Sequence, residues 1–129
     1  MIPIIRLQSI VLDSRQPAEL ARFYMSLLGG EIVYDIGFFV SVSVPGESIS
    51  ISCQLEENYT PPVWPDTKEE QMKMAHLDFA VLGIDAAVQY ALSLGATKPF
   101  TQYWQSDFGP QWVTLLDPEG HPFCLCSHE

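Results

Sequence analysis

The sequence predicts an α+β protein, one domain of 129 residues made of two β-α-β-β-β modules. Three observations carry that prediction. Strand-like runs and an amphipathic helix follow one another in the order β-α-β-β-β over residues 4–56. The same order returns over residues 74–127, with Gly29 and Gly95, and likewise Tyr24 and Tyr90, 66 positions apart, which reads as an internal duplication. Finally, period-two alternation gives several strands one oily face and one polar face.

In the first module, residues 4–12 are β-branched and aliphatic and read as a strand, with Leu7, Ser9 and Val11 on one side and Ser9 the polar intruder. Pro17 suits a first helical turn, and Leu20, Phe23, Tyr24, Leu27 and Leu28 then recur at helical spacing until Gly29-Gly30 ends the run. Three short β-rich runs follow, 31–34, 38–44 and 48–55, separated by the turn signals Asp35-Ile36-Gly37 and Pro45-Gly46-Glu47. In the last of them Ile49, Ile51, Cys53 and Leu55 share the apolar face, while Ser50, Ser52 and Gln54 share the other.

Residues 57–73 form a bridge in which Tyr59-Thr60-Pro61-Pro62-Val63-Trp64-Pro65 should be extended and stiff, because prolines restrict both themselves and the residues before them. Tyr59 and Trp64 either pin this segment or wall a pocket. In the second module, Met74, His76, Asp78 and Ala80 alternate with Ala75, Leu77, Phe79 and Val81. The second set is the oily one. His76 and Asp78 therefore look away from the packed face, into solvent or into a cavity. Asp85 reads as an N-cap, the helix stops at Gly95, and residues 97–100 read as a short strand. A loop over 102–110 carries Tyr103, Trp104 and Phe108. Runs 112–116 and 122–127 flank Asp117-Pro118-Glu119-Gly120, whose Pro and Gly positions suit a type I turn in a hairpin.

Six basic against sixteen acidic residues leave a formal charge of −10, a field that repels phosphate backbones and anionic lipid heads, so neither nucleic acid nor a membrane surface is an expected partner. No leader pattern and no apolar run of membrane-spanning length is present, so the expectation is a soluble cytoplasmic protein. Cys53, Cys124 and Cys126 are odd in number, and the last two are spaced so that one strand points them the same way without bridging geometry. They read as reduced thiols, either small buried hydrophobes or, for Cys124, a reactive or ligating group. There is no phosphate-binding glycine loop, no nucleophile elbow and no Cys-x-x-Cys pair.

Several segments together resemble the vicinal oxygen chelate superfamily, the glyoxalase, bleomycin-resistance and extradiol-dioxygenase group, and especially its short glyoxalase-like members. They are Leu20-Ala21-Arg22-Phe23-Tyr24 running into Leu28-Gly29-Gly30, the Tyr59 to Pro65 run, His76-Leu77-Asp78-Phe79-Ala80-Val81 leading to Asp85, and Leu116-Asp117-Pro118-Glu119-Gly120-His121-Pro122-Phe123. The resemblance implies modules that curl into an open mixed-sheet barrel, and a homodimer that covers its edges and cavity mouth. It also implies metal-ligand positions on four strands, which here fall on Ser9, Gln54, His76 and Cys124. Ser9 is a poor ligand for a divalent ion, and Cys124 stands where a carboxylate is usual.

Two functions follow from that resemblance. In the first, a glyoxalase-like protein, an enzyme or a degenerate relative, binds a small oxygenated compound through Ser9, Gln54, His76 and Cys124, with Asp78 as the candidate general base. In the second, a non-catalytic protein of the bleomycin-resistance kind sequesters an aromatic ligand, with Trp104 and Phe108 as stacking surfaces. No cofactor is expected. A divalent metal on Gln54, His76 and Cys124 is the alternative.

Overall fold

The computed structural model describes residues 3–102 and 112–127, and the chain divides into two compact units, Met1–Tyr59 and Thr60–Glu129. The candidates Trp104 and Phe108, with Tyr103, lie outside the described residues. The α+β class is as the sequence predicts: each unit has its own mixed sheet and its own helix. None of its described helices is long and apolar enough to cross a membrane.

The first unit runs β1 (Ser9–Ser14), α1 (Pro17–Leu28), β2 (Ile32–Asp35), β3 (Phe39–Ser43) and β4 (Ser50–Leu55). Its sheet has the order β1-β4-β3-β2, with β1 parallel to β4 and the other pairs antiparallel. β1 starts at Ser9, not at residue 4, because its only ladder partner among the described residues is β4, whose first residue Ser50 lies opposite Ser9. Ile4, Ile5 and Leu7, upstream of that ladder, stay exposed.

α1 begins with Pro17 in its first turn and ends where Gly29 takes a left-handed φ of 70°, its N–H returning to the Met25 carbonyl. Leu20, Ala21, Phe23 and Tyr24 are buried, and the helix packs on β3 and β4. There Val40 faces Cys53 and Val42 faces Ile51 in the ladder, all four buried. The reason for the second glycine is proximity: a Cβ on Gly30 would lie 2.1 Å from the Ser43 carbonyl oxygen. Ser43 also accepts from nearby backbone, its hydroxyl from the Glu31 N–H at 2.9 Å.

The second unit runs β5 (Leu77–Val81), α2 (Ile84–Ser93), β6 (Trp112–Leu116) and β7 (Pro122–Ser127), with the sheet order β5-β7-β6. β5 starts three residues later than the alternation suggested. Its parallel partner β7 pairs Phe123 with Leu77, and the residue before Phe123 is Pro122, which has no N–H to extend the ladder. The expected strand over 97–100 shrinks to a single antiparallel bridge, Thr97 with Leu116, closed by hydrogen bonds of 2.9 and 2.8 Å. Pro99 accounts for this, since a proline two residues on cannot donate the next ladder bond. With that bridge included, the second sheet repeats the first: parallel outer pair, then antiparallel neighbours in the same relative order.

Asp85 is not the N-cap of α2. Gly83 caps it with φ 74°, and Asp85 lies in the first turn, where its carboxylate meets the positive end of the helix dipole. Val88 and Ala91 are buried, and α2 packs on β7 and β6. At the hairpin, Asp117 is 2% exposed and its Oδ1 accepts from the N–H of Glu119 and of His121 at 2.9 and 3.0 Å. His121 Nδ1 lies 2.8 Å from Asp117 Oδ2, so the carboxylate organises the turn. In the bridge, Trp64 is anchored through Nε1 to the Thr101 carbonyl at 2.8 Å, and Lys73 sits 5.0 Å above its ring while pairing with Asp66. That geometry is the pinning role.

Candidate functional site

The polar face of the second sheet is assembled by register. Asp78 of β5 and Cys124 of β7 are partners in the parallel ladder, and Thr114 of β6 is the partner of Cys124 on its other side. All three side chains therefore leave the sheet on one side. The other side is apolar. Phe79 meets Phe123 edge-on at 6.0 Å, and Phe123 and Leu125 are fully buried.

His76 lies just before β5 and its Nε2 is 3.2 Å from Asp78 Oδ1. One ligand-capable atom from each of His76, Asp78 and Cys124 lies within 4.8 Å of the others. The two β5-side groups are open, 39% and 62% exposed, whereas Cys124 is 8% exposed. Thr114 Oγ1 is 3.3 Å from Cys124 Sγ. Burial pushes the Cys124 thiol up from its ordinary pKa, and the Asp78 charge pushes it further, against the lowering effects of the Thr114 hydroxyl and of Lys73. Cys126 is raised too, by burial and then by Asp78 and Cys124. None of the cysteines is bridged.

Cys124 is therefore a thiol at neutral pH, a donor rather than a nucleophile. Asp78, the candidate general base, is 62% exposed among the described residues and has His76 Nε2 as its side-chain neighbour. What the cluster offers is an imidazole, a carboxylate, a thiol and a hydroxyl converging on one patch, able to hold hydroxyl or carbonyl oxygens or a cation.

Ser9 and Gln54 belong to the first sheet, and its register does not bring them together. Ser9 pairs with Ser50, and Gln54 with Asp13, so the two lie four β4 positions apart, about 13 Å at ordinary strand rise. Ser9 instead joins a hydroxyl network that sequence reasoning missed. Its Oγ is 2.7 Å from Ser52 Oγ, which is 2.7 Å from Ser41 Oγ, while Ser50 Oγ donates to Ser9 at 2.9 Å. Ser9 Oγ also reaches the Ser50 carbonyl at 3.1 Å. One proton assignment satisfies every hydroxyl: Ser41 donates to Ser52, Ser52 and Ser50 donate to Ser9, and Ser9 donates to the carbonyl. In that assignment Ser9 Oγ accepts from two serine neighbours while donating to the backbone. The signal was present as Ser41, Ser50 and Ser52 at alternating positions, but only the register of β1, β4 and β3 joins them.

A mixed sheet backed by one helix, given twice over, with polar groups on the sheet faces, defines a glyoxalase-like class of protein. The chain belongs to that class by sequence as well: the family model described as a glyoxalase-like domain matches residues 9–126, which places the chain in the vicinal oxygen chelate superfamily. No curated protein matches it in sequence. Among solved structures, it is similar to a glyoxalase/bleomycin resistance protein/dioxygenase family enzyme from Burkholderia phytofirmans PsJN, at 20% identity over 95% of this chain and 98% of that one, with a TM-score of 0.70. A glyoxalase-related enzyme from Fulvimarina pelagi is 14% identical over 97% and 89%, with a TM-score of 0.69. A variant of the fosfomycin resistance protein of Listeria monocytogenes, complexed with Mn(II) and a dihydroxypropylphosphonic acid, is 12% identical over 98% and 90%, with a TM-score of 0.66.

Proposed function

We propose that the protein binds and acts on a small oxygenated compound at the His76, Asp78, Thr114 and Cys124 face. The observation that supports this reading most is the convergence of His76, Asp78 and Cys124 atoms within 4.8 Å in a chain of the glyoxalase-like family. Asp78 accepts from a ligand hydroxyl. The Cys124 thiol and the Thr114 hydroxyl donate to a carbonyl, and His76, held against Asp78, is the group that gives or takes a proton. With a formal charge of −10, the chain favours neutral or cationic compounds over anionic ones. Two copies associate as a homodimer, and the three free thiols suit a reducing compartment such as the cytoplasm.

The test is a calorimetric screen of neutral diols, hydroxyketones and catechols against the wild-type chain and the His76→Ala and Asp78→Asn variants. Binding of at least one class, weakened about tenfold or more in both variants, is expected, since each removes one hydrogen bond to the ligand from a charge-bearing pair. Binding that is indifferent to both substitutions contradicts the reading.

A further inference from the structure

We propose that Gln102 is a positioning residue of the second unit's polar face: its side-chain amide stands in for a missing strand beside β6 and holds the Thr114 hydroxyl against Cys124. This rests on the reading of that face as the working face, and it adds a residue that the alternation of the strands does not single out.

The outer edge of β6 explains why a side chain is needed there. Thr97 and Leu116 exchange backbone hydrogen bonds of 2.9 and 2.8 Å, so an antiparallel neighbour running on from this bridge would next bring residue 99 opposite Thr114. Residue 99 is proline, which has no N–H to give the Thr114 carbonyl. Gln102 fills the gap. Its Nε2 donates to the Thr114 carbonyl at 2.9 Å and to the Pro99 carbonyl at 3.0 Å, and its Oε1 accepts from the Thr114 N–H at 2.8 Å. Both amide hydrogens are thus committed, and the flipped amide would set donor against donor and carbonyl against carbonyl. The backbone carrying Gln102 is fixed one residue earlier, where the Thr101 carbonyl accepts from Trp64 Nε1 at 2.8 Å.

With its N–H and C=O both turned to Gln102, Thr114 exchanges no backbone bonds with Cys124, its partner across the β6–β7 ladder. Antiparallel pairs of this kind stand closer, with Cα atoms about 4.5 Å apart rather than about 5.5 Å, and their side chains meet. That is how Thr114 Oγ1 comes to lie 3.3 Å from Cys124 Sγ. A β-branched side chain takes its direction from its backbone, because few χ1 values are open to it. Thr114 is 3% exposed, so losing the amide would leave its N–H and carbonyl buried without partners, and the strand would shift to find others.

Two substitutions at Gln102 separate orientation from bulk. Gln102→Leu keeps the size and removes all three hydrogen bonds. Gln102→Glu keeps the shape, but once ionised it turns a carboxylate toward two carbonyl oxygens; protonated, its hydroxyl again donates to the Thr114 carbonyl. Those carbonyls hold its pKa above the ordinary value of about 4.3.

The test uses the full chain, labelled with ¹⁵N and ¹³C. In Gln102→Leu, checked for folding by circular dichroism, the Thr114 amide should exchange at least about tenfold faster relative to that of Leu116, whose bond to Thr97 is intact. The three-bond couplings that report Thr114 χ1 should move from a single rotamer toward an average. In Gln102→Glu, both readouts should depart from wild type at about pH 8 and recover toward about pH 5, with the wild type in parallel to account for the titration of His76. Hydroxyacetone, a neutral hydroxyketone, should bind Gln102→Leu about tenfold more weakly than wild type. A fixed Thr114 χ1 in Gln102→Leu, equal loss of protection at Thr114 and Leu116, no recovery of Gln102→Glu at low pH, or wild-type affinity in a chain whose χ1 is averaged overturns the proposal. If Gln102→Leu does not fold, the glutamate variant decides by itself, since pH turns the clasp on and off in one protein. Failure of the wild type to bind hydroxyacetone or any screened compound counts against the proposed function, and the exchange and coupling results still decide the role of Gln102.

Discussion

Asp78 and Cys124 are direct partners in the parallel β5–β7 ladder, and they leave the sheet on the side opposite Phe79 and Leu125. An exposed carboxylate is thereby held beside a buried thiol.

The pH dependence of Cys124 follows. Burial, then the Asp78 charge, hold its pKa above the ordinary value, so the folded protein keeps this proton more tightly than the unfolded chain does. The resulting stabilisation is complete below the ordinary thiol pKa of about 8.5 and is lost as pH rises through the folded value. Urea midpoints should fall with rising alkaline pH, and the fall should be shallower in Cys124→Ser. In Asp78→Asn, the pH profile of Cys124 alkylation, read by mass spectrometry, should move to lower pH. A profile that stays in place would show that the carboxylate does not act on the thiol.

The adjacent glycines after α1 should respond differently to alanine. At Gly29, where φ is 70° and the space is open, a Cβ meets only the left-handed penalty of about 1–2 kcal/mol. At Gly30 it meets the Ser43 carbonyl oxygen at 2.1 Å, so the strand must move, and the loss should reach about 3 kcal/mol or more. Chemical denaturation of the two variants gives the order directly. Equal losses would mean that the approach to Ser43 relaxes freely.

Phe123 is fully buried and meets Phe79 edge-on. Phe123→Ala should cost about 3–5 kcal/mol, whereas Ser52→Ala, which takes the central hydroxyl from the serine network, should cost about 1–3 kcal/mol by leaving Ser9 and Ser41 short of a partner. Equilibrium urea curves would measure both. A Ser52→Ala variant as stable as wild type would mean that the network rearranges without loss.

β2 is an edge strand whose Ile32, Val33 and Tyr34 are all exposed, with Ile36 and Phe38 exposed beside them. Apolar side chains on an open edge invite pairing with a second chain. Sedimentation equilibrium at micromolar concentration should report a dimer, and a Val33→Lys substitution should shift it toward monomer if this edge takes part. A clean wild-type monomer would remove the dimer.

Period and punctuation made much of the fold legible. Pro17, Gly29-Gly30, the Asp117-to-Gly120 turn and the alternation around Asp78 are local signals, and local physics decides them. What could not be read was pairing. Strand limits depend on which strand lies alongside, so residues 4–8 dropped out of β1, Met74 to His76 fell outside β5, and Pro99 reduced an expected strand to the Thr97 bridge. The site shows the same division. Alternation put His76 and Asp78 on one face, but the approach of Cys124, the joining of Ser9 to Ser52 and the separation of Ser9 from Gln54 are properties of register.

The working face proposed for this chain lies on β5, β6 and β7 at His76, Asp78, Thr114 and Cys124. Amide chemical-shift mapping of the uniformly ¹⁵N-labelled chain, with a neutral hydroxyketone or diol chosen from the calorimetric screen, tests it most directly. The largest saturable shifts should fall on residues 76–80, 113–115 and 123–125. Shifts confined to β1, β3 and β4, with His76, Asp78 and Cys124 unmoved at saturation, would contradict it.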